Sequence, residues 1–404
     1  MLRISAMFAA ASAIALATPA FAAPGDPIVL ADGINFDLQV ATRLRYEMAE
    51  QANQPDSADA VTFRARVGGE LAVHGLKLLV EGEGTAALGT RYNDTLPGNG
   101  AEPYPVVADP ENFELNRAQL SYVVNGNGLT VGRQRINYGN QRFVGSVGWR
   151  QNEQTFDAVR GQAKIGPLTA DATFAISQRT IFGSDSPNAE FDGDLFMGNA
   201  MLDLPAVDIT AFAVLLDYET RHAFSSNTIG LSASAGFPLG SAVTLAANAT
   251  FASQSEAGSN PVDYRAQYIQ GELGLTFSGF TLSLNYEELG SDGGRAGFQT
   301  PLATLHAFQG WADVFLTTPA NGVRDTYATL RRQFAVPGLG NVSAFVAYHE
   351  FESDFGNVDY GSEWNASLGF RVGPVNLLAK YANYRADSFG VNTQKLWLQA
   401  EWGF

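Results

Sequence analysis

The sequence contains no cysteine, so no disulfide supports it and stability has to come from a large fold. Charge is sparse, at 16% of residues, and there are only four histidines: His74, His222, His306 and His349. Their spacing suggests no Ser-His-Asp grouping, so no catalytic residues are assigned and an enzyme is not expected. The acids show no EF-hand spacing, so neither a metal nor a cofactor is expected. Beyond the first residues, no stretch approaches the roughly 18 uninterrupted apolar residues of a transmembrane helix. Yet 46% of the chain is apolar and 42 residues are glycine, more than an average chain carries.

The N-terminus explains part of this. Met1-Leu2-Arg3 is basic, an alanine-rich apolar run follows from Ile4 to Ala17, and Ala20-Phe21-Ala22 has the small-x-small form of a cleavage site. Residues 1–22 therefore read as a cleaved secretory signal peptide, leaving 23–404 as a single domain. An exported chain of this composition is either a large soluble β protein or a membrane β-barrel.

The pattern along the chain separates the two. In the last segment, Leu396, Leu398, Ala400, Trp402 and Phe404 share one parity, and Lys395, Gln399, Glu401 and Gly403 the other, with Trp397 the exception. Side chains on a strand alternate between faces, so one face is apolar and the other polar. Eighteen such segments can be counted between residues 35 and 404. Their connections alternate strictly. Short turns carry Gly, Pro or Asn, as at His74-Gly75, Asn125–Gly128 and Gly166-Pro167. Long loops fall at 49–59, 90–112, 136–154, 179–194, 220–226, 255–263, 291–322, 354–360 and 387–392. A soluble sandwich has no reason to gather its long loops at one end, whereas a bacterial outer-membrane barrel has short periplasmic turns, long extracellular loops and an even strand number. The fold expected is all-β, a transmembrane antiparallel up-and-down barrel of about 18 strands in the Gram-negative outer membrane. Only a dozen or so residues separate Ala23 from the first strand, too few for the plug of an energy-coupled receptor.

If the apolar parity faces lipid, Arg43, Arg45, Arg64, Arg66 and Arg117 face the lumen on adjacent strands. Asp37, Glu70, Glu81 and Glu83 lie near them, and Glu272, Glu287, Asp325, Arg331, Lys380 and Glu401 come from later strands. A barrel this wide leaves an aqueous space, and a charged wall around it is a channel wall. Arginine presents fixed donors suited to carboxylate or phosphate oxygens. The net charge of −16 does not conflict, because many acids fall in loops exposed to lipopolysaccharide. The loop 136–154 is rich in Arg, Gln and Gly, and folding inward would make it a constriction. In 291–322, Leu302, Leu305, Phe308, Trp311, Val314 and Phe315 recur at helical spacing, predicting a short helix that caps or enters the barrel mouth.

The stretch GRQRINYGNQRFVGSVGWRQNEQTFDAVR, from Gly132 to Arg160, resembles the signature of the alginate-export family of outer-membrane porins. So do FELNRAQLSYVVNGNGLTVGRQRI upstream and the segment from Thr300 to Phe334. The resemblance implies an eighteen-stranded barrel and an arginine-lined pore. Its pore-lining and substrate-binding candidates are Arg43, Arg45, Arg64, Arg66, Arg117, Arg133, Arg135, Arg142, Arg150 and Arg160. The expected function is a channel for hydrophilic, anionic or saccharide solutes. The alternative is a dedicated exporter of an anionic polysaccharide such as alginate, working with periplasmic partners. Other expected partners are outer-membrane lipid, lipopolysaccharide and, through the terminal Phe404, the barrel-assembly machinery. No nucleic-acid partner is expected.

Overall fold

The computed structural model describes residues 27–240 and 242–403. The signal peptide and Phe404, with the assembly role expected of it, lie outside the described residues. The strands are β1 (Ile28–Ala31), β2 (Ile34–Gln51), β3 (Ala58–Val73), β4 (Leu76–Arg91), β5 (Asn112–Val124), β6 (Asn127–Gln134) and β7 (Thr155–Ile165). They continue with β8 (Leu168–Arg179), β9 (Glu190–Asp203), β10 (Asp208–Tyr218), β11 (Ser226–Leu239), β12 (Val243–Glu256) and β13 (Arg265–Phe277). The last are β14 (Phe280–Leu289), β15 (Val323–Val336), β16 (Gly340–Glu352), β17 (Asp359–Val372), β18 (Val375–Ala386) and β19 (Thr393–Gly403).

From β2 to β19 each strand pairs antiparallel with the next, and β19 pairs back onto β2, Leu398 opposite Tyr46 and Glu401 opposite Arg43. This is the closed eighteen-strand barrel expected from the alternation. The short β1, paired with β2, is one strand more than the alternation predicts. Closure leaves no ladder edge, which lipid could not hydrogen-bond.

The two ends differ for local reasons. At His74-Gly75, Asn125-Gly126 and Ser278-Gly279 both central residues have positive φ: 47° and 93°, 53° and 79°, 47° and 78°. Those are two-residue turns whose twist matches the flanking strands, and glycine supplies the second position without strain. All the long connections lie at the other end. The outer wall is apolar, with Ile229, Leu284 and Trp364 exposed by 64%, 60% and 52%, as a lipid-facing belt requires. This barrel is an outer-membrane protein.

The core lies inside the barrel. Loops 135–154 and 290–322 turn inward, and their Trp149, Phe298, Trp311 and Phe315 are buried with Tyr268, Phe351, Tyr384 and Trp397 of the wall. Trp397 breaks the alternation of β19 because it points inward, edge-on to Trp149 at 5.7 Å and to His306 at 5.3 Å. The helix expected in 291–322 does not form. That loop holds a single 3-10 turn, Leu305–Ala307. Positive φ at Gln309, Gly310 and Asp313 breaks any regular helix, and the Trp311 and Ala312 amides donate to Glu363 on β17. The wall carboxylate takes donors that a helix would have used. Leu302, Trp311 and Phe315 are buried as the spacing implied, whereas Leu305, Phe308 and Val314 are half-buried.

Candidate functional site: the charged lumen and its two inward loops

Arg43 and Arg45 on β2 and Arg64 and Arg66 on β3 form a tight patch on the inner wall, each at most 2% exposed. Loop 135–154 lies across it. Arg43 donates to the Trp149 carbonyl at 2.9 Å and the Gly148 carbonyl at 3.0 Å, and pairs with Glu401 at 2.9 Å. Arg45 stacks over the Trp149 ring at 4.0 Å and donates to Gln399 at 2.7 Å. Arg64 reaches Glu401 at 3.2 Å, while its Nε and Nη1 have no protein acceptor. Arg66 binds Glu83, and Glu153 of the loop at 3.0 Å.

The loop's own arginines run the other way. Arg142 crosses the lumen to Glu287 on β14 at 2.6 Å, and also donates to Thr300 at 3.1 Å and Gln309 at 3.0 Å in the second loop. Arg150 pairs with Glu47 at 3.2 Å and with Asp313 at 3.1 Å. The loops are also joined through backbone, Gly145 N–H to the Leu302 carbonyl at 2.8 Å and Thr304 N–H to the Gln141 carbonyl at 3.0 Å. A Cβ at Gly145 would sit 2.3 Å from the Thr304 hydroxyl, so only glycine permits this approach.

Three candidates stay partly open to water. Arg117 pairs with Glu81 at 2.6 Å, Arg135 with Glu81 at 3.1 Å and with Glu153, and Arg160 with Asp171 at 2.5 Å. Their side chains are 15%, 23% and 21% exposed. Arg133 stands apart. It has the parity of Leu129 and Val131, which are 51% and 44% exposed on the outer wall, and it pairs with Asp157 at 2.8 Å. With Arg45 paired to Asp109 at 3.4 Å, every one of the ten candidate arginines has a carboxylate partner. The lumen wall is a lattice of alternating sign rather than a basic sheet.

A second centre, which the sequence reading did not single out, joins both loops to β18 and β19. The Lys380 ammonium lies 4.2 Å from the Trp149 centroid and 3.7 Å from that of Trp311, with His306 Nε2 at 2.6 Å. His306 accepts there, so its Nδ1–H donates to Asp313 at 2.7 Å. Its ring stacks on Trp149 at 4.5 Å. Asp313 also receives Lys395 at 2.7 Å. Burial, the largest cause, holds His306 well below its ordinary pKa and therefore neutral. Burial raises the Asp313 carboxyl, but His306, Lys395 and Arg150 outweigh it and the carboxyl ends well below its ordinary range. Glu153 behaves alike: burial raises it, Arg135 and Arg66 pull it down to about 2. The sequence clues were Trp149 in an otherwise polar loop and His306 within the apolar stripe of 291–322.

Two outcomes follow. A folded-state carboxyl pKa below the unfolded value stabilises the structure above the unfolded pKa, and that stability is lost as pH falls towards the folded one. Conductance should therefore become larger and noisier as pH falls below about 4, where these two carboxylates begin to lose their stabilising contribution. Acid-insensitive current would contradict the Asp313 and Glu153 clamps. Separately, Trp149→Ala removes a buried indole that both loops and the wall pack against, and should cost about 3–5 kcal/mol. Denaturant unfolding of the detergent-folded barrel measures it.

The family model described as alginate export matches residues 34–180, so the resemblance read from the motifs is borne out over that span, which stops short of Thr300–Phe334. No curated protein matches the sequence. Among solved structures, the chain is similar to Pseudomonas aeruginosa OpdK with vanillate, at 14% identity and TM-score 0.73, covering 91% of this chain and 98% of that one. It is also similar to P. aeruginosa OccK9 at 14% identity and TM-score 0.71, with 91% and 98% covered. Acinetobacter baumannii OccAB3 follows at 15% identity and TM-score 0.68, with 91% and 99% covered. At these identities the likeness is one of fold, the closed antiparallel β-barrel.

Proposed function

We propose that this outer-membrane barrel, with its alginate-export match over residues 34–180, is a passive channel for small hydrophilic anions, saccharide acids included, and not an enzyme. The observation that carries the reading is the placement of Arg117, Arg135 and Arg160, which stay partly exposed inside the lumen of a chain that is otherwise strongly acidic. A guanidinium whose carboxylate partner leaves it some access to water can exchange that partner for a passing carboxylate. Loops 135–154 and 290–322 form the constriction, fastened by Arg142, Arg150 and the Lys380 centre.

A second reading, dedicated export of an anionic polysaccharide with periplasmic partners, is favoured by the family match alone. Two loops clamped together across the lumen suit small solutes better than a polymer. Current through single channels, with monomeric and oligomeric uronates added to either side, tests the choice. Brief interruptions by the monomer support the channel reading. Current that is indifferent to uronates of every length would overturn it.

A further inference from the structure

We infer that the outer rim between β2, β18 and β19 is a binding site for the saccharide headgroup of an outer-leaflet glycolipid. A pocket of about 290 Å³ lies there, lined by Glu50, Gln51, Asn383, Arg385, Asn392 and Gln394. That volume is at the lower end of small-ligand sites, suited to one sugar-sized group.

Its position in the wall decides what can reach it. Directly opposed residues in a sheet share a face. Trp364 opposes Asn383, Asn383 opposes Gln394, and Gln394 opposes Glu50. Trp364 is on the outer wall, 52% exposed, so Asn383, Gln394 and Glu50 are on the outer wall as well. The inward parity of β18, Ala382 and Tyr384, is fully buried under loop 290–322. A solute in the lumen therefore never meets this pocket. Along the strands it borders the residues 387–392 and the start of the loop after β2, which places it at the extracellular end.

The surroundings identify the ligand chemistry. Trp364 packs with Tyr348 at 4.7 Å, an aromatic pair on the outer face of the kind found where hydrocarbon meets headgroups. Below it come the lipid-facing Leu44, Val346, Leu368 and Leu398, exposed by 41–49%. The pocket thus sits one step above the acyl region, at headgroup depth. Its lining is four amides with one cation and one anion, a set that donates to and accepts from hydroxyls equally. A bare phosphate would be repelled by Glu50, and an acyl chain would find Ala52 as the one apolar side chain among those lining the pocket. Arg385 is exposed and forms no ion pair among the described residues, so its donors are available.

The test uses the full barrel refolded in detergent, its fold checked by heat-modifiable migration. Native mass spectrometry is run with a defined lipooligosaccharide and, separately, with phosphatidylethanolamine. The expected result is a one-to-one lipooligosaccharide adduct, reduced about tenfold in the variant N383A/R385A/Q394A, with single-channel conductance unchanged. Equal adducts for the native and variant barrels, or adducts with the phospholipid that the variant loses equally, would overturn the site. Because the readout is lipid binding and the conductance is a control, the outcome is independent of which solute the channel passes.

Discussion

Replacing Arg142 and Arg150 together by alanine should raise single-channel conductance about two- to fivefold, since current follows the width of the constriction. Arg142 is the strut that crosses from loop 135–154 to Glu287 and to Thr300 and Gln309 of loop 290–322. Arg150 ties the same loop to Glu47 and to Asp313. All of these groups are nearly fully buried. Removing one partner of a buried pair leaves an uncompensated charge and costs about 3–5 kcal/mol. Two such losses exceed what the remaining backbone bonds between the loops restore, at roughly 1 kcal/mol each. The barrel itself, held by a closed ladder, should still fold. Conductance equal to that of the native protein would mean that the loops are held by apolar packing and that their arginines are incidental.

The second large effect concerns selectivity. Changing Arg117, Arg135 and Arg160 to glutamine leaves Glu81 and Asp171 without their cations and Glu153 with Arg66 alone. The lumen should then turn from anion-preferring to cation-preferring, with the permeability ratio moving by about tenfold, as expected when the charge sign of a confined aqueous path reverses. Reversal potential in a salt gradient reads this directly. By contrast, changing Arg133 alone should leave the ratio where it is, because that side chain sits on the outer wall with Asp157.

Much of this was legible in the chain, and for identifiable reasons. Lipid imposes a strict period of two, so Leu44, Phe63 and Leu398 announce the outer face, and Arg43, Arg64 and Glu401 the inner. Turn chemistry at Asn125-Gly126 and its like is local and equally readable. Arg133, expected to line the pore, instead shares the parity of Leu129 and Val131 on the outer wall. The ion pairs were not legible. Arg43 and Glu401 are separated by 358 positions and meet only because the barrel closes. Arg142 and Glu287 are 145 apart and meet only because a loop folds inward. Nor did helical spacing in 291–322 mean a helix, because an apolar loop can satisfy its amides on a wall carboxylate such as Glu363. Outside a strand, periodicity reports burial without fixing backbone geometry.

The absence of cysteine allows the central claim to be tested with a single introduced thiol. The claim is that solutes pass the partly exposed arginines beside loop 135–154. In Arg160→Cys, reaction with a charged, membrane-impermeant methanethiosulfonate reagent should reduce single-channel current in a step, while the same reagent on Arg133→Cys should leave it untouched. Full labelling of both positions with current altered only in Arg133→Cys, or in neither, would contradict the account.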